Sequence, residues 1–431
     1  MKSLFRLLLS LLGMLLMLLL VNCSGAPGCP RVSFGSSSCA ATPPGFGSGG
    51  GSGGTGGGGG GGGGGSTANA LAYVVDQNGT IDGYALNTTA GTFGPAPGFT
   101  APIVPVNLGS VGVVVAQGKF LYAVFEDLQQ IYGWSIDSSG NLTALSGFPV
   151  SVSLNNIAAL TYNQQVVITN PAGTLLFISE FGNEQILVYQ VSTSGALTAA
   201  AGSPFSTLPA SLEPQNMAMD GLGRFLYVGE DSADHSGAFV VGYAVSSAGV
   251  LTEIPGSPFN IPIWEMQGEP SGNYLLGISG KVQFLFGSDD KSLYVYNIDQ
   301  TTGALSAAVG SPFATVYAPF NITVQPTSTN GEFIYSFGFD DSGVGTNPIE
   351  AYQLNTTTGA LTAVAGSPFN GLSSTAWGQF DQSGLYLFGY SPATPNVSLA
   401  VINVSSTGVL SETLASTPLT TGGYWAPADL P

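Results

Sequence analysis

A glycine turn recurs seven times in the second part of this chain, at Gly91, Gly140, Gly195, Gly249, Gly303, Gly359 and Gly408, at intervals of 49 to 56 residues. Each interval repeats one order: a segment such as Phe225-Leu226-Tyr227-Val228, an alternating one such as Leu293-Tyr294-Val295-Tyr296-Asn297-Ile298, then the turn, as in Gly303-Ala304-Leu305. Four turns run on into an identical Gly-Ser-Pro-Phe, starting at Gly202, Gly256, Gly310 and Gly366. Self-similarity at this period marks one supersecondary unit used many times, and it constrains every local reading.

Within a unit the apolar residues are β-branched or aromatic, alternate with period two, and are bounded by Gly, Asn, Asp, Ser and Pro. That is the pattern of short antiparallel strands, and nothing recurs at the helical period. The spacing holds four strands: an inner one such as Asn321-Ile322-Thr323-Val324, the Tyr-Val strand, the Val-Tyr strand, and an outer one opening at Gly-x-Leu. One such sheet cannot bury both of its faces, so the units must stack, and radial closure covers every face while leaving only short edges. The expected fold is all-β, a seven-bladed β-propeller of four-stranded antiparallel blades over residues 69–431. The first unit begins at Leu71-Ala72-Tyr73-Val74 without an inner strand, and Gly423-Tyr424-Trp425-Ala426-Pro427 is left over after the last outer one. That C-terminal segment is expected to supply the missing strand and close the ring.

Ahead of the repeats, Lys2 and Arg6 precede an apolar run from Leu7 to Val21. This reads as a signal peptide over residues 1–22, because a bilayer-crossing helix wants about twenty apolar residues. Leu20-Val21-Asn22-Cys23 resembles the lipobox of bacterial lipoproteins, with Asn22 where those proteins carry Gly, Ala or Ser. The resemblance implies a lipid on Cys23, a membrane attachment through that anchor alone, and an outer-membrane or cell-surface location. The alternative is a simple secreted protein. Residues 23–68 read as a stalk in which Cys29 and Cys39 either join in an oxidising compartment or stay as thiols. From Gly45 to Gly65 the composition is that of a flexible tether, and no Gly-Lys-Ser/Thr follows to make it a phosphate loop. No cysteine lies beyond Cys39, so the repeats contain neither disulfide nor thiolate metal site.

Seven Lys and Arg oppose 25 Asp and Glu, a formal charge of −18. Removal of Lys2 and Arg6 with the signal peptide would make it −20. Such a surface is a poor partner for nucleic acid, whose backbone is held by Lys and Arg, and for anionic lipid headgroups. Charged residues are nevertheless only 7 % of the chain, which must therefore bury a large core instead of remaining a charge-rich coil. A monomer is expected.

The Tyr-Val strands, Gly-Ala-Leu-Thr turns and Gly-Ser-Pro-Phe connections resemble the lactonase-like seven-bladed propellers, which include 6-phosphogluconolactonase and the Tyr-Val-Thr-Asn repeat surface proteins. The resemblance covers residues 70 to 431, and its motifs specify fold more than activity. It implies lactone hydrolysis as one reading. A phosphorylated lactone needs cationic side chains, and the repeats offer only Lys119, Arg224, Lys281 and Lys291. Lys119 and Arg224 directly precede Phe-Leu-Tyr strands, on the face opposite the loops that join second and third strands. His235, the single histidine, stands in Glu230-Asp231-Ser232-Ala233-Asp234-His235. It can serve as a general base oriented by Asp231 or Asp234, with Glu230 beside them, or it is a solvated loop residue. The repeats contain no Gly-x-Ser-x-Gly elbow to offer a nucleophile.

Carboxylates gather after the Tyr-Val strands: Asp76, then Glu126 and Asp127, Glu180 and Glu184, Glu230, Asp231 and Asp234, Asp289 and Asp290, Asp340 and Asp341. Equivalent loops emerge on one face, so these acids are expected as a broken ring around one mouth of the central channel. Such a ring concentrates cations and suits Ca²⁺, or it merely keeps a rim soluble; no cofactor is required. Trp264, Trp377 and Trp425 fall in inner strands, where inter-blade burial competes with stacking on a sugar. The residues together favour an exported binding module for a small-molecule or protein ligand, with lactone hydrolysis as the alternative.

Overall fold

The computed structural model describes residues 70–431 apart from 77–78, 88–91, 97–98, 103, 105–110, 156–165, 181, 208–211, 233–237, 280–289, 327–331, 340–346, 373–376, 382–383, 392–397, 419–422 and 429–431. The signal peptide, Cys23, Cys29, Cys39 and the Gly-rich tract lie outside the described residues.

Seven antiparallel sheets follow one another along the chain, and no α-helix occurs among the described residues. Blade 2 shows the plan: inner strand Val111–Ala116, second strand Phe120–Phe125, third strand Gln130–Ile136 and outer strand Leu142–Ala144. The inner strands of blades 3 to 7 are Val167–Thr169, Leu212–Met219, Ile263–Gly268, Ala318–Val324 and Trp377–Phe380. Blade 1 borrows its inner strand from the C-terminus. Gly423–Ala428 pairs antiparallel with Ala70–Asp76, placing Trp425 opposite Val74 and Ala426 opposite Tyr73. The ring closes as the sequence requires.

The second strands carry the core, because both of their faces are covered by neighbouring blades. Every residue of Phe120–Phe125 is buried, as is every residue of Leu175–Glu180. Tyr122 and Val124 of blade 2 pack with Leu176 and Ile178 of blade 3 in one cluster, so the hydrophobic cores lie between blades. Each large side chain so removed from water contributes roughly 1.5–3 kcal/mol.

A tyrosine ties each of four blades to the next. The hydroxyls of Tyr73, Tyr122, Tyr227 and Tyr335 donate to the carbonyls of Gly140, Gly195, Gly303 and Gly408, the recurring turn glycines of the following blade, at 2.7 to 3.1 Å. These glycines sit at φ of 77° to 85°, where a side chain is strained. A Cβ on Gly195 would also stand 2.7 Å from Phe120 and Leu145 of the preceding blade.

One feature departs from the four-strand expectation. The third strand is longer than the outer one, so half of its edge would remain bare. The chain after the outer strand returns to cover it, and Phe205–Ser206 pairs with Ile186 and Gln185 as a short fifth strand. Val150–Ser151 and Phe313–Ala314 do the same in blades 2 and 5. Between the two pairings, Ser203 of Gly-Ser-Pro-Phe accepts the otherwise bare N–H of Val188 at 2.9 Å, a bond repeated by Ser257, Ser311 and Ser367. The phenylalanines of this motif pack against the core.

Candidate functional site

Antiparallel pairing gives the ring two chemically different faces. The hairpins joining inner to second strands make one, and the loops joining second to third strands make the other. On the first face a central cavity of about 620 Å³ runs between the inner strands of blades 2 to 7, lined by Val115, Met217, Gln267, Val324 and Phe380 among others. Among the described residues that line it, none carries an ionisable side chain.

The arginine of the first face is committed to structure. Arg224 Nε donates to Asp220 Oδ2 at 2.9 Å, Nη2 donates to the Gly272 carbonyl of blade 5, and the guanidinium lies 5.2 Å over the Phe225 ring. Lys119 is exposed in the blade 2 hairpin. Lys291 directly precedes the third strand of blade 5, exposed on the second face, and Lys281 lies outside the described residues.

On the second face the second strands end at the positions the sequence singles out. Glu230 and Asp231 stand in the strand Phe225–Ser232, paired with Phe239 and Ala238 on one side and with Pro214 and Glu213 on the other. His235, Asp234, Asp289, Asp340 and Asp341 lie outside the described residues, and Asp76 is described in its backbone alone, at the end of Ala70–Asp76. Asp127 is exposed and Glu126 half-buried. Asp290 accepts the Tyr294 hydroxyl at 2.8 Å, and that contact together with burial pushes the phenol up to about 12, burial being the larger cause.

Glu180 does not belong to a solvated rim. It is 0 % exposed, and its carboxylate accepts the backbone N–H groups of Asn155, Gly182 and Asn183. Burial raises its pKa, against the lowering effect of those bonds. The side chain fastens the connection entering blade 3 to the loop leaving its second strand. Glu350, unremarked in the sequence, does the same in blade 6, where it accepts the N–H groups of Val316 and Tyr317 and the Tyr352 hydroxyl. Among the described residues no three His, Cys, Asp or Glu side chains converge as a metal site.

Sequence reading also missed a polar belt between inner strands. Glu265 of blade 5 accepts Asn321 Nδ2 at 2.6 Å and the Ile322 N–H at 3.0 Å, both from blade 6. Asn321 Oδ1 in turn accepts the Gly378 N–H of blade 7 at 3.0 Å. Complete burial pushes the Glu265 carboxyl up to about 8 in spite of these donors. Trp377 packs on Phe320 of blade 6 and Tyr390 of its own blade, which is the inter-blade fate and not a free stacking platform. Trp264 and Trp425 are placed in inner strands by their backbone.

Comparison with known proteins agrees with the propeller. No family model matches the chain. The 6-phosphogluconolactonase of Pectobacterium carotovorum subsp. carotovorum (strain PC1) is 25 % identical over 249 residues, 57 % of this chain and 64 % of that protein's length. The Pseudomonas aeruginosa periplasmic gluconolactonase superposes with a TM-score of 0.57 at 14 % identity, covering 84 % of this chain and 99 % of that one. A proposed 6-phosphogluconolactonase of Bacteroides uniformis gives the same TM-score at 15 % identity, covering 84 % and 100 %. At such identity the structural matches speak for the fold alone.

Proposed function

We propose that this 6-phosphogluconolactonase-like propeller hydrolyses the lactone of an uncharged sugar acid, on the face formed by the loops between second and third strands. The observation that carries the reading is the similarity to the Pectobacterium 6-phosphogluconolactonase. The charge distribution selects within that class. Holding a phosphate takes paired cationic donors, whereas Arg224 is spent on Asp220 and Gly272 on the opposite face, in a chain of net charge −18.

Hydrolysis of a lactone needs a base to take a proton from water as its oxygen adds to the carbonyl, after which the ring oxygen leaves and is protonated as an alcohol. Glu230 and Asp231, at the end of the blade 4 second strand, and His235 just beyond them are the residues we assign to that proton traffic. The test is acid release from δ-gluconolactone and from its 6-phosphate, each corrected for spontaneous opening. Turnover of the neutral lactone, reduced at least about tenfold in Glu230→Gln or His235→Ala, supports the proposal. Preference for the phosphate ester, or no turnover at all, refutes it.

A second reading, an exported binding module, is favoured by the cavity that carries no ionisable group. It gains if lactones shift the melting temperature without being hydrolysed. Under either reading we propose export with lipidation of Cys23, for which incorporation of labelled palmitate, lost in Cys23→Ala, is the check.

A further inference from the structure

The cavity on the first face is walled by apolar side chains, among them Val115, Ile168, Met217, Met219, Val324 and Phe380. Its volume, about 620 Å³, falls within the range of small-molecule sites. Two methionines of one strand give part of that wall an adaptable, polarisable surface.

The fold keeps charge out of it. Three carboxylates stand directly after lining residues: Asp220 after Met219, Glu269 after Gly268 and Asp381 after Phe380. All three are buried and turn into their own hairpins. Asp220 accepts the Phe225 N–H, Glu269 the Tyr274 N–H and Asp381 the Tyr386 N–H, at 2.8 to 3.0 Å. Arg224, in the blade 4 hairpin, is paired with Asp220 at 2.9 Å.

The polarity that remains is neutral. Each inner strand of blades 2 to 7 is paired on one side only, so its other edge presents backbone N–H and C=O groups to the channel. Toward the second face, side chains of the preceding blade take two of these groups, Glu265 accepting the Ile322 N–H and Asn321 the Gly378 N–H. The cavity lies on the first-face side of those bonds, at Gln267, Val324 and Gln379 of the same strands. Among the described residues the side-chain amides of Gln267 and Gln379 have no hydrogen-bond partner. Each offers a carbonyl acceptor and an NH₂ donor.

We propose that this cavity binds a small neutral amphiphile, an apolar body carrying one or two uncharged hydrogen-bonding groups, at a site separate from the second face. The body replaces water along the Val, Ile and Met walls, and its polar group meets Gln267, Gln379 or a bare strand edge. A charged ligand would give up its hydration with no counter-ion in the cavity to offset the loss. A free sugar would lay its hydroxyls against aliphatic walls that return no hydrogen bonds. This assignment rests on the binding-module reading, to which it gives a ligand class, and not on hydrolysis.

The probes are naphthamide and naphthoate, one ring body carrying a neutral or an anionic group, titrated calorimetrically into the full-length protein. Naphthamide is expected to bind at one saturable site, and naphthoate at least about tenfold more weakly. Gln379→Trp fills the cavity from an exposed position and should weaken naphthamide at least about tenfold while the protein keeps a cooperative melt. Hydrogen exchange of the wild type needs no variant: bound naphthamide should slow exchange in Ile263–Gly268 and Trp377–Phe380 and leave the second-face turn at Glu126 to Gln129 unchanged. Absence of saturable binding, equal affinity for the anion, or unchanged binding in Gln379→Trp would overturn the site. If δ-gluconolactone shifts the melting temperature of wild type and Gln379→Trp alike while naphthamide does not bind, the first-face site is overturned and the binding module stands.

Discussion

Replacing Tyr122 by Phe removes one oxygen from the seam between blades 2 and 3. The Tyr122 hydroxyl, in a side chain 0 % exposed, donates to the Gly195 carbonyl at 2.7 Å. The ring itself still fits, since Phe177 occupies the same place in blade 3 and is equally buried. What is lost is one buried hydrogen bond, and what remains is a buried carbonyl acceptor without its donor, a cost of about 1–3 kcal/mol. Gly195→Ala attacks the other partner and should cost more. At φ of 80° an alanine is strained by about 1–2 kcal/mol, and its Cβ, 2.7 Å from Phe120 and Leu145, adds roughly 1–3 kcal/mol of overpacking. Equilibrium denaturation in guanidinium reads both, with a lowered midpoint at unchanged slope as the signature. If both variants unfold within about 0.5 kcal/mol of the wild type, the tyrosine–glycine contact is incidental and the account of how blades are joined is wrong.

Other expectations follow from the same geometry. Glu265 is raised to about 8 by burial, so its contribution to stability is full below the ordinary glutamate range and lost as pH rises through 8; Glu265→Gln should flatten the alkaline fall of the melting temperature. Glu180→Ala strips the acceptor from the N–H groups of Asn155, Gly182 and Asn183 and should cost about 1–3 kcal/mol, with faster proteolysis at that loop. Ending the chain at Pro418 removes Gly423–Ala428, bares the edge of Ala70–Asp76 and should abolish a single cooperative melt; an unchanged melt would deny the closing strand its role.

The period of the repeat, the turn glycines and the leftover C-terminal segment were legible because each is a property of spacing. The fifth strand was not, since Gly-Ser-Pro-Phe carries no alternation and its pairing answers a bare edge that exists only once the third and outer strands have unequal lengths. Glu180 and Asp127 look alike in sequence, yet Glu180 is drawn inward by three backbone N–H groups that only the folded loops bring together. Glu265 escaped for a different reason. The register shifts between Ile263 and Glu265, which breaks the period-two parity by which a strand residue is assigned to the channel or to the seam.

Closure of the ring by its own C-terminus can be measured by placing one cysteine in each strand of the seam. Asp76 and Gly423 are direct partners across the antiparallel pair, at a separation a disulfide can span. In a protein whose Cys23, Cys29 and Cys39 are replaced by serine, Asp76→Cys with Gly423→Cys should form an intramolecular disulfide on mild oxidation, seen as one linked peptide pair by mass spectrometry. Free thiols after oxidation, or links only between molecules, would contradict a ring closed in this way.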